Sequence, residues 1–179
     1  MHFLRDTFFE SGDHTARGCV KKDCPHSSAI RIIGLGNGMR GDDAVGLLAA
    51  RRIRQEVGDR VEVIEAEMAG VDILDLMEGA RMVILIDAAR SGQAPGTVHR
   101  LDASAGPIGG QMFPRSSHAI GVSEAIELAR AMDVLPATVI VYGVEVGNTE
   151  IGQPLSPSVA MALDQVVDRI VQDCEAGRA

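Results

Sequence analysis

Lysine is almost missing from this chain. Of 17 basic residues, 15 are arginine, and both lysines, Lys21 and Lys22, fall within the first thirty positions. Against 25 acidic residues this leaves a formal net charge of -8. The clustered cations that bind a phosphate backbone are therefore lacking, which excludes nucleic acid as the main partner. Cysteine is scarce too. Cys19, Cys24 and Cys174 are an odd and widely spread set, which is no disulfide framework. No apolar run reaches the length needed to cross a bilayer. The N-terminal stretch MHFLRDTFFESGDH lacks the long apolar segment of a secretory signal. Together these absences point to a cytoplasmic protein with no membrane partner.

What is present suffices for one domain. The 179 residues are 46% hydrophobic, enough to bury a core. Residues 1–29 hold three of the four phenylalanines and two of the three cysteines, with no clear periodicity. They are expected to form an N-terminal extension to a single α/β domain spanning 30–179. Cys19, Cys24 and His26, with His14 as a fourth, have metal-ligand chemistry but not the paired short spacings of a structural zinc site.

From Ile30 onward the pattern alternates. Ile30–Leu35 predicts a strand ending in a glycine turn, and Val45, Leu48, Ala49 and Ile53 mark the buried face of a helix beginning near Asp42. Arg60–Glu65 alternates as a second strand, and Val71–Met77 has the composition of a short helix. Met82–Asp87 is a continuous apolar run, as expected of a strand buried on both faces. Thr97–Leu101 predicts a more exposed strand, Gly121–Met132 a helix and Ala137–Glu145 a last strand. Ser156-Pro157 starts a terminal helix with a hydroxyl cap and a proline in its first turn. This order predicts a three-layer α/β/α fold, phosphorylase/hydrolase-like, around a mainly parallel twisted sheet.

In such sheets ligands gather at the carboxyl ends of the strands. Two carboxylate groups are predicted there: Asp42-Asp43 after strand one and Asp87 at the end of the most apolar strand. A dinucleotide site is one reading of Gly34-Leu35-Gly36, with Glu65 as the ribose acid. Its third glycine would fall at Met39, however, and paired carboxylates at the helix start would repel a pyrophosphate. A peptidyl-tRNA hydrolase shares the Gly-Leu-Gly-Asn turn but needs a histidine where this chain has Asp42-Asp43. A metal site is the third reading, because carboxylates and imidazole suit a borderline divalent ion such as Ni²⁺ or Zn²⁺. His99, in the exposed strand, reads as a surface residue. His118 sits in a polar turn before a helix and completes a two-carboxylate, one-histidine set with Asp43 and Asp87. Asp42 serves as the local helix cap or as a supporting acceptor. Glu145, at the end of the last strand, either lines the same edge or is solvated there. Ser116 and Ser117 adjoin His118 without a nucleophile elbow, and Cys174 reads as packing or surface.

Gly34-Leu35-Gly36-Asn37, followed by Arg40-Gly41-Asp42-Asp43-Ala44-Val45-Gly46, then Ile86-Asp87-Ala88 and Ser117-His118-Ala119-Ile120-Gly121, resembles the hydrogenase maturation endopeptidases. The resemblance covers roughly Ile30 to Val171. It implies a protease that clips the C-terminal extension from the large-subunit precursor of a nickel–iron hydrogenase. It also implies Asp43, Asp87 and His118 as the residues that contact metal and carry catalysis. Nickel would then arrive with the substrate, while the isolated protein would have room for another divalent ion. A nickel-sensing chaperone that binds the large subunit without cutting it is the alternative. Two departures stand out. Many members have Glu at the position of Asp43, and the glycine-rich stretch after strand two reads Glu65-Ala66-Glu67-Met68-Ala69-Gly70 here.

Overall fold

The computed structural model describes residues 30–58, 61–67, 69–108 and 121–176. The elements run β1 (Ile30–Gly36), a 3-10 turn (Gly41–Ala44), α1 (Val45–Val57), β2 (Glu62–Glu67), α2 (Asp72–Met77), β3 (Met82–Ala89), β4 (Val98–Asp102), α3 (Val122–Ala131), β5 (Thr138–Glu145) and α4 (Pro157–Ala176). The five strands form one sheet in the order β2-β1-β3-β5-β4. β1, β2, β3 and β5 are parallel, and β4 joins β5 antiparallel at the edge. The expected three-layer arrangement is therefore present, with one reversed edge strand.

The sheet is apolar on both sides because helices cover both. On one face Ile32, Ile84 and Tyr142 pack with Val45, Ala49 and Ile53 of α1 and Val159, Val166 and Ile170 of α4. On the other, Ile33, Leu85 and Val141 pack with Ile73 and Met77 of α2 and Val122, Ala125 and Ile126 of α3. Double-sided cover explains the unbroken apolar run of β3. Each such side chain taken fully out of water contributes about 1.5–3 kcal/mol. The 3.6-residue spacing in α1, α3 and α4 supplies the matching stripes. Cys174 is fully buried in the α4 stripe, a packing residue.

Two features of the sheet prepare the site. β1 and β3 are neighbours, yet the chain leaves β1 toward β2 on one side and reaches β3 on the other. That reversal opens a crevice at the carboxyl ends of β1 and β3, where α/β sheets bind ligands. The start of α1 also lies directly on these two strands. A Cβ at Gly46 would come within 2.3 Å of Leu35 O and 2.4 Å of Ile86 O, and one at Gly34 within 2.2 Å of Gly46 O. Only glycine at both positions permits that approach.

β2 runs two residues further than its sequence pattern predicts. Its parallel pairing with β1 continues to Gly36↔Glu67, so Ala66 and Glu67 are strand residues at the carboxyl edge.

Candidate functional site

The loop after β1 is a closed ring of hydrogen bonds. Gly36 turns the chain at φ +141, where a side chain would strike Asp43 O. Asn37 N then donates to Asp43 O at 3.1 Å, Arg40 N to Asn37 O at 3.1 Å, and Asp43 N to Arg40 O at 3.0 Å. The Asn37 side chain adds a bond from Met39 N at 3.0 Å. This ring fixes Asp42 and Asp43 in the 3-10 turn, one to each side.

Of the two roles predicted for it, Asp42 takes that of an acceptor. It caps no helix. Its carboxylate, fully buried, accepts from Gly147 N at 3.0 Å, Asn148 N at 2.9 Å, Ser156 N at 2.6 Å and Ser156 Oγ at 3.0 Å. Burial works to raise its pKa, but the bonds from Ser156, Asn148 and Gly147 outweigh it and hold the carboxyl below the usual range. Asp42 thus clasps the segment between β5 and α4 to the turn after β1. The Ser156 hydroxyl, predicted to cap α4, is donated to this clasp.

Asp43 and Asp87 are both partly buried. Asp87 alternates with Val83 and Leu85 toward the face covered by α2 and α3, and its Oδ1 accepts from Ala88 N at 2.8 Å. Its pKa is raised from 3.8 to about 7. Burial is the larger cause, the charge of Asp43 adds to it, and the Ala88 amide opposes both. Two of the three predicted site residues therefore share one field at the β1/β3 crevice. The third, His118, lies outside the described residues, as do Ser116, Ser117 and the Cys19, Cys24, His26 and His14 group. Among the described residues, no three His, Cys, Asp or Glu side chains converge as a metal cage. A cation held here would rest on Asp43 and Asp87 together with a ligand from beyond them.

A second acidic group went largely unread in the sequence. Glu145 is only 2% exposed, so it is not a solvated strand end. It accepts from Ser91 N at 3.0 Å, Gly92 N at 2.7 Å, Gln93 N at 3.1 Å and Ser91 Oγ at 3.0 Å. Burial would raise its pKa, but the Ser91 and Gly92 bonds, with His99 beside them, bring it below the ordinary value. His99 is partly buried rather than on the surface, with Nε2 3.5 Å from Glu145 Oε2 and 3.5 Å from Ser91 Oγ. This is no nucleophilic relay. The same imidazole nitrogen faces both partners, whereas a relay needs one nitrogen for each. Glu145 anchors the loop that follows β3. The signal for it was the pairing of a strand-end acid with an amide-rich Ser-Gly turn.

Glu65 is ion-paired with Arg51 at 2.5 Å and Arg54 at 2.6 Å. Its burial is outweighed by those guanidiniums, which hold its pKa down. It is occupied within the protein and is not offered to a ribose.

Residues 44–173 match the hydrogenase maturation protease family. The chain belongs to that family of endopeptidases. It is 25% identical over 147 residues to the hydrogenase 2 maturation protease of Escherichia coli K12, covering 79% of this chain and 88% of that protein. It is 24% identical over 148 residues to the hydrogenase expression/formation protein HupD of Thiocapsa roseopersicina, covering 75% of this chain and 66% of the relative. Its fold matches the hydrogenase maturating endopeptidase HybD from E. coli with a TM-score of 0.69 at 24% identity, over 82% of this chain and 92% of that one. The dinucleotide and peptidyl-tRNA hydrolase readings give way to this assignment. Among the described residues no helix is long and apolar enough to cross a membrane.

Proposed function

We propose that this protease removes the C-terminal extension from the large-subunit precursor of a nickel–iron hydrogenase in the cytoplasm, after nickel insertion. Asp43, Asp87 and His118 engage the nickel that the substrate carries. The observation that supports this most is the electrostatic coupling of Asp43 to Asp87 at the β1/β3 crevice. Two carboxylates in one field compete for a proton, and a divalent ion removes the conflict. His118 precedes Gly121, the residue that caps α3, by three positions, and α3 covers the face to which Asp87 belongs.

Chemically, the pair has two uses. With a cation at hand it ligates, releasing the proton that Asp87 otherwise keeps near neutral pH. A carboxyl that titrates at about 7 is also matched to accepting a proton from an attacking water as the peptide bond is cut. Carboxylate and imidazole suit nickel better than magnesium or calcium.

The test is to incubate the protein with nickel-loaded and with nickel-free precursor and weigh the products. Shortening of the loaded precursor alone is expected. Stable binding of the loaded form with no change in its mass would leave the chaperone reading in its place.

A further inference from the structure

The first turn of α3 is open. Gly121 precedes it, and no side chain caps it. Ala125 N donates to Gly121 O at 3.0 Å, but the amides of Val122, Ser123 and Glu124 meet no acceptor among the described residues. Such leftover N–H groups are a property of helix starts, and they carry the positive end of the helix dipole. Ser123 adds a second and independent signal. It is only 4% exposed, yet its hydroxyl has no hydrogen-bond partner among the described residues. In a helix the Cα–Cβ bond tilts toward the N-terminus. The hydroxyl of this second helical residue therefore stands at the open turn, together with the amides. Glu124, the acid of that turn, is exposed and leaves the inner side to Ser123.

The turn lies on the side of the sheet to which Asp87 belongs. α3 runs against the parallel strands: it ends at Ala131, and the chain then enters β5 at Thr138, opposite Met82 at the start of β3. Its first turn is therefore at the carboxyl edge. Val122 packs in one cluster with Leu85 and Ala89, the residues on either side of Asp87 on that face of β3. The donors of α3 are not engaged by Asp87, which accepts from Ala88 N. A buried hydroxyl without a partner destabilises the free protein, and a bound oxygen would relieve that. Cutting a peptide bond creates such an oxygen. As the oxygen of water bonds to the carbonyl carbon and gives up a proton, the C=O π pair moves onto the carbonyl oxygen. The pair returns when the C–N bond breaks. The amine leaves with the proton, and the acid that remains ionises to a carboxylate. We infer that the Ser123 hydroxyl and the open amides of α3 receive this oxygen and stabilise its charge as it develops. The inference rests on the proposed function and adds to it the donors for the reacting oxygen.

The test is Ser123→Ala, with nickel-loaded precursor and intact mass as the readout. kcat should fall about a hundredfold, the size of loss seen when one such donor is removed. KM should stay within about twofold, the mark of an interaction made only in the transition state. The thermal midpoint should equal or exceed that of wild type, since the group removed is a buried hydroxyl without a partner. Lost activity with stability intact separates a donor from a packing residue. A wild-type kcat in Ser123→Ala would overturn the inference. So would a lowered thermal midpoint with kcat falling only in proportion to the folded fraction. If wild type fails to shorten the precursor, the proposed function falls by itself. Amide shifts of Val122, Ser123 and Glu124 on titration with acetate then decide the turn. Saturable shifts that weaken in Ser123→Ala sustain it as an oxyanion site. Shifts that are absent, or equal in the two proteins, remove it.

Discussion

Asp42 and Asp87 are acids at the same edge of the sheet and opposites in environment. Asp42 is fully buried, yet its carboxyl is held below its ordinary pKa because four donors surround it. Across the crevice from Asp43, Asp87 is only partly buried, yet it is pushed up to about 7 by burial and by the charge of Asp43. Burial alone therefore does not decide the charge state of an acid here. The supply of donors does. Carboxylates with many donors, Asp42 and Glu145, hold loops together. The pair set against itself occupies the place where the fold binds ligands.

The sharpest way to break this comparison is Asp87→Asn. Processing of nickel-loaded precursor should fall below about 1% of wild type, because the charge of the ligand proposed at this position is lost. Stability should move the other way. A carboxyl whose folded pKa exceeds its unfolded value binds more protons when folded, so wild type loses stability as pH rises from about 4 toward 7. The amide keeps an acceptor for Ala88 N and carries no charge. At pH 8 the variant should be more stable than wild type by an amount on the order of 1–4 kcal/mol, and near equal at pH 4. Denaturant titrations at the two pH values check this, and a variant less stable at pH 8 would contradict the assigned strain.

Asp42→Asn should show the reverse balance. The amide nitrogen meets donors where an oxygen accepted, so about 2–4 kcal/mol should be lost, a fall in Tm of roughly 5–15 °C. Wild type should also lose stability as pH drops below about 4 through the depressed pKa of Asp42. That acid sensitivity should diminish in the variant. Thermal melts from pH 2.5 to 7 give both numbers.

Glu145→Gln is expected to act in the same sense but more weakly, at about 1–2 kcal/mol, since it anchors a surface loop. Faster amide exchange confined to Ser91, Gly92 and Gln93 would be its signature. The smallest effect should come from Arg52→Ala. Its pair with Asp164 is half-exposed on both sides, and such pairs are worth about 0–1 kcal/mol. A large loss there would show that surface charge, not donor supply, governs these acids.

Periodicity made the elements readable. The buried faces of α1, α3 and α4 follow from apolar spacing, and the central position of β3 follows from its unbroken apolar run. The end of β2 was misread because Ala66 and Glu67 carry no strand signal of their own. Pairing with β1 extends the strand. Leu48 fits the helical stripe as well as Ala49 does, and only the segment beside α1 turns its side to a pocket.

By itself, the sequence determined the layer architecture, the carboxyl-edge position of Asp43 and Asp87, and the family, because these depend on local spacing and on residue types in order. Tertiary structure decided which acid does what. Asp42 is clasped from residues 105 to 114 positions away, and Glu145 is anchored from 52 to 54 positions away. Asp87 feels Asp43 only because the β1/β3 crevice brings them into one field. Donors and charges from distant parts of the chain set each carboxylate's proton affinity, and no local pattern encodes their arrival.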